Sequence, residues 1–206
     1  MLRSATVLLI SHFISQYILP KNTEKLKNTQ FLLVHALNNI YTSFLTYNSV
    51  IKLITQKYTE DDTYYNESII SISFLHIYHI IFYKYNLEDL LHHAIIPSLI
   101  YFHTKLKSNI ATDVNNFFMC GFPGAIIYCC VILKRIPYIK FTKKDEIYLS
   151  YLINTYLRCP GILINVCYVL YLQTNIPTMI FYTILGSYNA IFYTYQSINR
   201  YNKLIE

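Results

Sequence analysis

Charged side chains are scarce in this sequence. Asp, Glu, Lys and Arg make up 14% of the 206 residues, whereas hydrophobic residues make up 54%. Because a soluble domain of this size needs more charge to cover its surface, the composition excludes an ordinary soluble protein and predicts a polytopic membrane protein. Tryptophan is absent although the chain has 22 tyrosines. That bias reflects codon usage and says nothing about the fold.

Two kinds of motif are also missing. The five cysteines lie in apolar segments and lack the repeated Cys-x-x-Cys spacing of a zinc site. We therefore predict reduced thiols and no bound metal. The net charge of +6 comes from Lys and Arg in short loops, whereas a nucleic-acid-binding protein would collect them on one face with interleaved aromatic residues. No nucleic-acid partner is expected.

Seven apolar runs have about the length needed to cross the roughly 30 Å hydrocarbon core of a bilayer as helices. They cover residues 2–19, 30–54, 68–84, 87–104, 110–133, 147–172 and 176–198. No small-x-small cleavage pattern follows the first run, so we expect a membrane anchor there rather than a cleaved signal peptide. No linker or internal repeat is visible. The sequence thus predicts one all-α membrane bundle of about seven helices over residues 1–206.

Basic residues are divided unequally between the two ends of the predicted helices. One end collects eleven of them: Lys21, Lys25, Lys27, Lys84, Lys134, Arg135, Lys140, Lys143, Lys144, Arg200 and Lys203. The other end collects five: Arg3, Lys52, Lys57, Lys105 and Lys107. Cytosolic loops are enriched in Lys and Arg, so the first end and the C-terminus are predicted to be cytosolic. The loop 56–67 then faces the opposite side, where Asn66 begins a glycosylation sequon.

Ionisable residues cluster at the turn between the third and fourth predicted spans. Inserting such a residue into a membrane costs about 2.5–3.5 kcal/mol, which favours a functional role. His79 and His92 each lie about six residues from the turn, which places both roughly 10 Å into the bundle. Helical spacing puts His76 on the face of His79, and it puts Asp89 on the face of His92 and His93. The pattern predicts a small polar site between the two helices.

Simpler interpretations of this cluster remain open. Asn86 can cap the fourth helix while Glu88 and Asp89 complement its positive end, without any chemical role. The two adjacent histidines can likewise be a buried pair that bonds to the backbone. Pro97 leaves the carbonyl of His93 without its helical hydrogen bond, so a kink is expected beside the pair.

The Asp89-Leu-Leu-His92-His93 block, preceded by a span rich in His and Tyr, resembles the TLC-domain family, whose membrane fold is shared by ceramide synthases. The resemblance implies a six-helix core over residues 30–199 with an extra N-terminal span. It also implies an acyltransferase whose catalytic residues are His92 and His93 with Asp89. That reaction would move an acyl group from acyl-coenzyme A, as co-substrate, to a long-chain amine without a bound cofactor. Membrane lipids are the implied partners, and the endoplasmic reticulum is the implied location.

The sequence departs from ceramide synthases at the next predicted helix. Those enzymes carry a second His-Asp pair there, where this chain has Asp113, Asn115 and Asn116 but no histidine. The departure keeps open a non-enzymatic protein that binds lipids, transports them or organises the membrane. A His-rich hydroxylase is disfavoured because membrane di-iron sites use about eight clustered histidines, and the whole chain has seven. An elongase-like enzyme is disfavoured because its motif has histidine at the position of Asp89.

Two motifs in later spans combine glycine with proline. They are Gly121-Phe-Pro-Gly124 and Arg158-Cys-Pro-Gly161. We predict that both interrupt their helices and allow close helix packing.

Arg158 lies well inside the sixth predicted span. A cation there requires a carboxylate, a lipid head group, a phosphate-bearing ligand or a water-filled cavity, and we expect it to face acyl-coenzyme A or a lipid phosphate. The residues predicted to line the cavity or bind substrate are His76, His79, Asn116 and Arg158. The isolated histidines, His12, His35 and His103, are expected to be structural or interfacial.

Overall fold

The computed structural model describes residues 2–18, 24–57, 67–82, 110–136, 138–171 and 176–206. All regular structure within these ranges is helical. In chain order the elements are α1 (Leu2–Ile18), α2 (Glu24–Ile54), α3 (Glu67–Phe82), α4 (Ile110–Asn116), the π-helical segment π1 (Phe117–Gly121), α5 (Phe122–Leu133), α6 (Lys143–Ile153), the π-helical segment π2 (Asn154–Arg158), α7 (Cys159–Tyr171) and α8 (Ile176–Ile205).

The prediction of an all-α chain is confirmed over the described residues. Six of the predicted apolar runs coincide with helices, two of which contain a π-helical segment. The fourth predicted run (87–104) lies outside the described residues. So do the turn at Asn86 and the sequon residue Asn66.

The longest helix, α2, occupies the centre of the packing. At 31 residues it is about 46 Å long, and it packs against α1, α3, α4, π1 and α5. A second group forms where α7 packs against α8, and π2 contacts both. Contacts between α4 and α7 and between α5 and α6 join the two groups.

The predicted helix interruptions at the two Gly-Pro motifs are wrong, because the chain stays helical through both. Each proline instead follows a π-helical segment. The Phe122 N–H bonds to the Phe117 carbonyl, and the Cys159 N–H bonds to the Asn154 carbonyl, so each helix gains one residue in that turn. The wider turn accommodates a residue that lacks an N–H and crowds the preceding turn. Such bulges are frequent at functional sites.

The predicted close packing at these motifs is confirmed by two glycines. A Cβ on Gly161 would overlap the ring of Phe118, and a Cβ on Gly124 would lie 2.7 Å from Asn39 Nδ2. Glycine is therefore required at both positions for helices to approach this closely.

Polarity is inverted relative to that of a soluble protein. Among the described residues, 24 polar or charged residues are buried against 20 hydrophobic ones, while 30 large hydrophobic residues are exposed. The buried polar residues are mostly Ser, Thr and Asn, and the exposed set includes Phe44, Ile164 and Ile191. One helix in the described ranges, Ile110–Leu133, has by itself the length and apolar composition to cross a membrane.

Charged residues meet at one end of the bundle. Glu146 at the start of α6 is 1% exposed, and its carboxylate accepts bonds from Lys134 Nζ at 2.7 Å and Arg200 Nη2 at 3.0 Å. Thr142 caps the same helix in a reciprocal capping box with Asp145. These contacts join α5, α6 and the C-terminal half of α8.

We predict that Gly161→Ala lowers the free energy of unfolding by about 1–3 kcal/mol, because the added methyl group overlaps the Phe118 ring. Circular dichroism during thermal unfolding in detergent measures the effect. In a Phe118→Ala background the same substitution should cost less than about 0.5 kcal/mol, since the overlapping ring is absent. An equal cost in both backgrounds would contradict the packing.

A second prediction concerns pH. Burial raises the pKa of Glu146, but the hydrogen bond from Lys134 and the charge of Arg200 outweigh it and lower the pKa below the ordinary value of 4.5. A lowered pKa in the folded state adds stability that is present above the pKa of the unfolded chain and is lost as the pH falls through the folded value.

Glu146→Gln should therefore cost about 1–3 kcal/mol at neutral pH. The variant should also lose less stability than the wild type between about pH 6 and pH 3. Thermal unfolding across this range measures both effects. Parallel pH profiles for the two proteins would contradict the assignment.

A candidate site in the polar interior of the bundle

The interior face of α2 is polar along most of its length. Its members are all buried, and apart from one adjacent pair they are three or four residues apart: His35, Asn38, Asn39, Thr42, Thr46 and Ser49. This spacing places them on one side of a helix. The face meets α3, α4 and α5 in three successive layers, which we name by their central side chains.

The histidine layer joins α2 to α3 and α5. The rings of His35 and His79 lie 5.8 Å apart and nearly perpendicular, with Phe31 4.5 Å from His79 and Tyr128 5.0 Å from His35. His35 Nδ1 lies 2.9 Å from the Phe31 carbonyl oxygen. Because a carbonyl only accepts hydrogen bonds, Nδ1 is the donor of this bond.

Two further histidines lie on or beside α3. His76 is half-buried one turn before His79. His12 of α1 hydrogen-bonds through Nδ1 to the Tyr78 hydroxyl at 2.7 Å and packs against Phe82. This bond joins α1 to α3, in agreement with the structural role expected of His12.

The arginine layer lies about one helical turn farther along α2. Arg158 is 6% exposed, its Nη1 donates to Asn154 Oδ1 at 2.7 Å, and its guanidinium carbon lies 4.7 Å from the centre of the Tyr193 ring. Among the described residues, Arg158 Nε has no hydrogen-bond partner. A Cβ at Gly124 would lie 2.7 Å from Asn39 Nδ2 and 3.7 Å from Arg158 Nη2, so the Asn39 amide packs directly against this glycine.

The aspartate layer lies near the other end of α2. Asp113 is 4% exposed, and its two carboxylate oxygens accept bonds from Ser49 Oγ and Ser68 Oγ, each at 2.8 Å. Asn116 Nδ2 donates to the same Ser68 oxygen at 3.1 Å. The carboxylate thus holds together α2, α3 and α4.

The predicted cavity residues are distributed among these layers. His79 lies in the histidine layer and Arg158 in the next one, whereas Asn116 lies in the aspartate layer. On α2, Asn39 belongs to the arginine layer and Ser49 to the aspartate layer. These two residues are ten positions apart, which is about 15 Å along the helix. The predicted catalytic residues Asp89, His92 and His93 lie outside the described residues, as does the glycosylation candidate Asn66.

Sequence reasoning missed several residues of this interior. His35 was expected to be structural or interfacial, Asn39 and Ser49 were not singled out, and Asp113 was considered only as part of a departure from a family pattern. The signal was present, because polar residues recur every three or four positions from His35 to Ser49.

In the described ranges, no group of three His, Cys, Asp or Glu residues is placed to hold a metal ion. No family model, curated protein or solved structure matches the chain.

The aspartate layer gives a prediction with a matched control on one helix. Ser68→Ala should lower the free energy of unfolding by about 1–3 kcal/mol, because it removes a hydrogen bond to a buried carboxylate. Ser73→Ala should change it by less than about 0.5 kcal/mol, since within the described residues the Ser73 hydroxyl has no partner.

Both variants should be produced in a host without N-glycosylation, because Ser68 also completes the sequon. Thermal unfolding in detergent compares them. Equal losses for the two variants would contradict the assigned network.

Proposed function

We propose that this protein is a seven-helix integral membrane protein that handles lipids within its polar interior. The inverted polarity of the bundle carries the proposal. In water, 30 exposed large hydrophobic residues would aggregate, and buried Ser, Thr and Asn would give up hydration for little gain. In a bilayer the same arrangement is favourable, because lipid solvates the apolar exterior and small polar residues join the helices.

The composition of single helices supports this reading. A membrane helix that turns a polar face toward its neighbours has a lower average hydropathy than one surrounded by lipid. Helix α2 carries such a face, and α8 buries Asn189 and Ser197. Ile110–Leu133 is by itself long and apolar enough to cross a membrane, and its residues that are not buried are half-buried, apart from the exposed Phe122.

The ends of the helices support the proposed topology. Arg135 Nη1 lies 3.4 Å from Thr29 Oγ1, and Lys134 and Arg200 share Glu146. The start of α2, the end of α5 and the end of α8 therefore lie together, as seven alternating spans require. Ser49, Ser68 and Asp113 bring together the end of α2 and the starts of α3 and α4. The end that contains Lys134, Arg135 and Arg200 is basic, and it is cytosolic in our proposal.

Acyl transfer is the reaction that we propose for this interior. His79 lies in the histidine layer together with His35 and Tyr128. It is the expected neighbour of His92 across the predicted hairpin. In the proposed reaction His92 or His93 acts as a general base on an amine, or as a nucleophile toward acyl-coenzyme A, and Asp89 orients the pair. The amide bond forms as the thioester C–S bond breaks, and the proton taken from the amine leaves with coenzyme A as its thiol. The resemblance to TLC-domain proteins also suggests the endoplasmic reticulum as the location.

Lipid binding without catalysis is a second candidate function, and one observation favours it. Where ceramide synthases carry a second His-Asp pair, the Asp113 carboxylate of this chain is bonded to Ser49 and Ser68 and joins three helices. Its partners are those of a structural residue.

The lipid composition of an expressing host tests the enzymatic proposal. Cells with the wild-type protein should differ from empty-vector cells in an acylated lipid. His92→Ala and His93→Ala should reduce that lipid by about 100-fold or more. His12→Phe, which keeps the ring contacts with Tyr78 and Phe82, is the matched control and should retain the wild-type profile.

Membrane levels of all four proteins must be equal for this comparison. Wild-type lipid profiles in the His92 and His93 variants would contradict the catalytic assignment. An unchanged profile with the wild-type protein would favour lipid binding without catalysis.

A further inference from the structure

The loop that joins α5 to α6 exposes two apolar side chains at the basic end of the bundle. The Ile139 N–H donates to the Ile136 carbonyl at 3.2 Å and closes a tight turn. Tyr138 lies in this turn and is 94% exposed, and Ile139 is 41% exposed. Because the loop lies beyond the last turn of α5, these side chains would stand in water unless they enter the membrane surface. Tyrosine suits that position, since it has an apolar body and a polar tip.

Three exposed lysines follow the two apolar residues. They are Lys140, Lys143 and Lys144, and within the described residues none of them forms an ion pair. The nearby acids are engaged elsewhere. Asp145 Oδ2 accepts two hydrogen bonds of 2.7 Å in the capping box, and the buried Glu146 binds two other basic residues. The loop therefore presents a net positive charge.

Two of these lysines are unfavourable for the helix that carries them. Lys143 and Lys144 are the first two residues of α6, where the helix macrodipole is positive and favours acidic side chains. They thus contribute nothing to the start of the helix, which Thr142 already caps. A residue that conflicts with its local structure indicates a role outside folding.

We infer that this loop is a docking surface for anionic phospholipid head groups. In this arrangement Lys140, Lys143 and Lys144 contact the head groups, while Tyr138 and Ile139 insert beside them. The cytosolic leaflet carries the anionic lipid in cells, which agrees with the side proposed for this end. The inference rests on the proposed membrane bundle. It goes beyond the proposed function, since the lipid bound here is an anchor and not a substrate.

The contacts behind the loop make it a fixed surface and not a free tether. Glu146 connects the start of α6 to Lys134 at the end of α5 and to Arg200 on α8. The rings of Tyr148 and Tyr201 lie 5.9 Å apart and join α6 to α8 a second time. Lipid bound at the loop would therefore orient three helices at the membrane surface.

The absence of tryptophan from the chain allows a single fluorescent reporter. Tyr138→Trp places it in the loop of the full chain, which is reconstituted in bilayers of phosphatidylcholine and phosphatidylserine. One lipid at a time carries brominated acyl chains, which quench tryptophan on contact. Comparison of the two quenching curves gives the relative affinity of the loop for phosphatidylserine. Ile191→Trp, at a position on α8 that is 66% exposed, is a second reporter for contact with lipid.

Two pairs of substitutions are compared in the Tyr138→Trp background. Lys143→Gln with Lys144→Gln removes two charges from the loop. Arg3→Gln with Lys57→Gln is the matched control, because it removes two exposed charges from the opposite end of the bundle.

We expect the loop to prefer phosphatidylserine about 10-fold at about 0.1 M salt. The preference should fall below about 2-fold at about 1 M salt, where charges are screened within about 3 Å. A lysine near an anionic surface contributes up to about 5-fold, so the loop pair should lower the preference about 5-fold or more. The control pair should stay within about 2-fold of its parent. In detergent the loop pair should unfold at the same temperature as its parent or a higher one, because two charges that oppose the macrodipole are gone.

Three results would overturn the inference. The first is a tryptophan at position 138 that neither lipid quenches, which would leave the loop to a soluble partner. The second is equal quenching by the two lipids, and the third is an equal loss of preference in the loop pair and the control pair. Quenching at position 191 but not at 138 would refute the docking loop alone. Absence of quenching at both positions would also refute the proposed membrane location.

Discussion

Polar side chains on α2 must find hydrogen-bond partners inside the bundle, because the exterior around them is apolar. This constraint fixes how the neighbouring helices dock. Asn38 and Ser71 bond to each other between α2 and α3, and Asp113 holds α4 against both. Rotating any of these helices by a few tens of degrees would leave buried donors and acceptors without partners, each at a cost of about 1–3 kcal/mol.

Asp113 and Arg158 are kept apart by the same packing. The Asp113 carboxylate accepts hydrogen bonds from two serine hydroxyls. Arg158 donates to one amide and lies against one aromatic ring. The two groups lie in layers about 15 Å apart along α2. A direct ion pair would have been the simpler way to stabilise both. Asp113 therefore has a structural role and does not pair with Arg158.

The helices were predictable from sequence because each is a long apolar run bounded by polar or charged residues, and six runs coincide with described helices. The continuity of two helices was not predictable. The proline and glycine residues of the two motifs indicate a break. Instead, a π-helical turn before Pro123 and before Pro160 accommodates each proline within a continuous helix at little cost. The contacts of the site were harder still. The pairing of His35 with His79 depends on the rotation of α2 against α3, which sequence spacing within either helix does not determine. Asn39 was missed because an asparagine in an apolar run usually signals only helix packing.

Everything proposed for this protein requires that its exposed hydrophobic residues face lipid. Spin labels attached to single cysteines in a cysteine-free variant, reconstituted in bilayers, test this directly. Labels at Ile164 and Ile191, which are 59% and 66% exposed, should collide with oxygen far more often than with a water-soluble nickel chelate. A label at Lys144, at the basic end, should show the reverse. Preferential collision with the chelate at Ile164 and Ile191 would contradict the membrane bundle and the functions built on it.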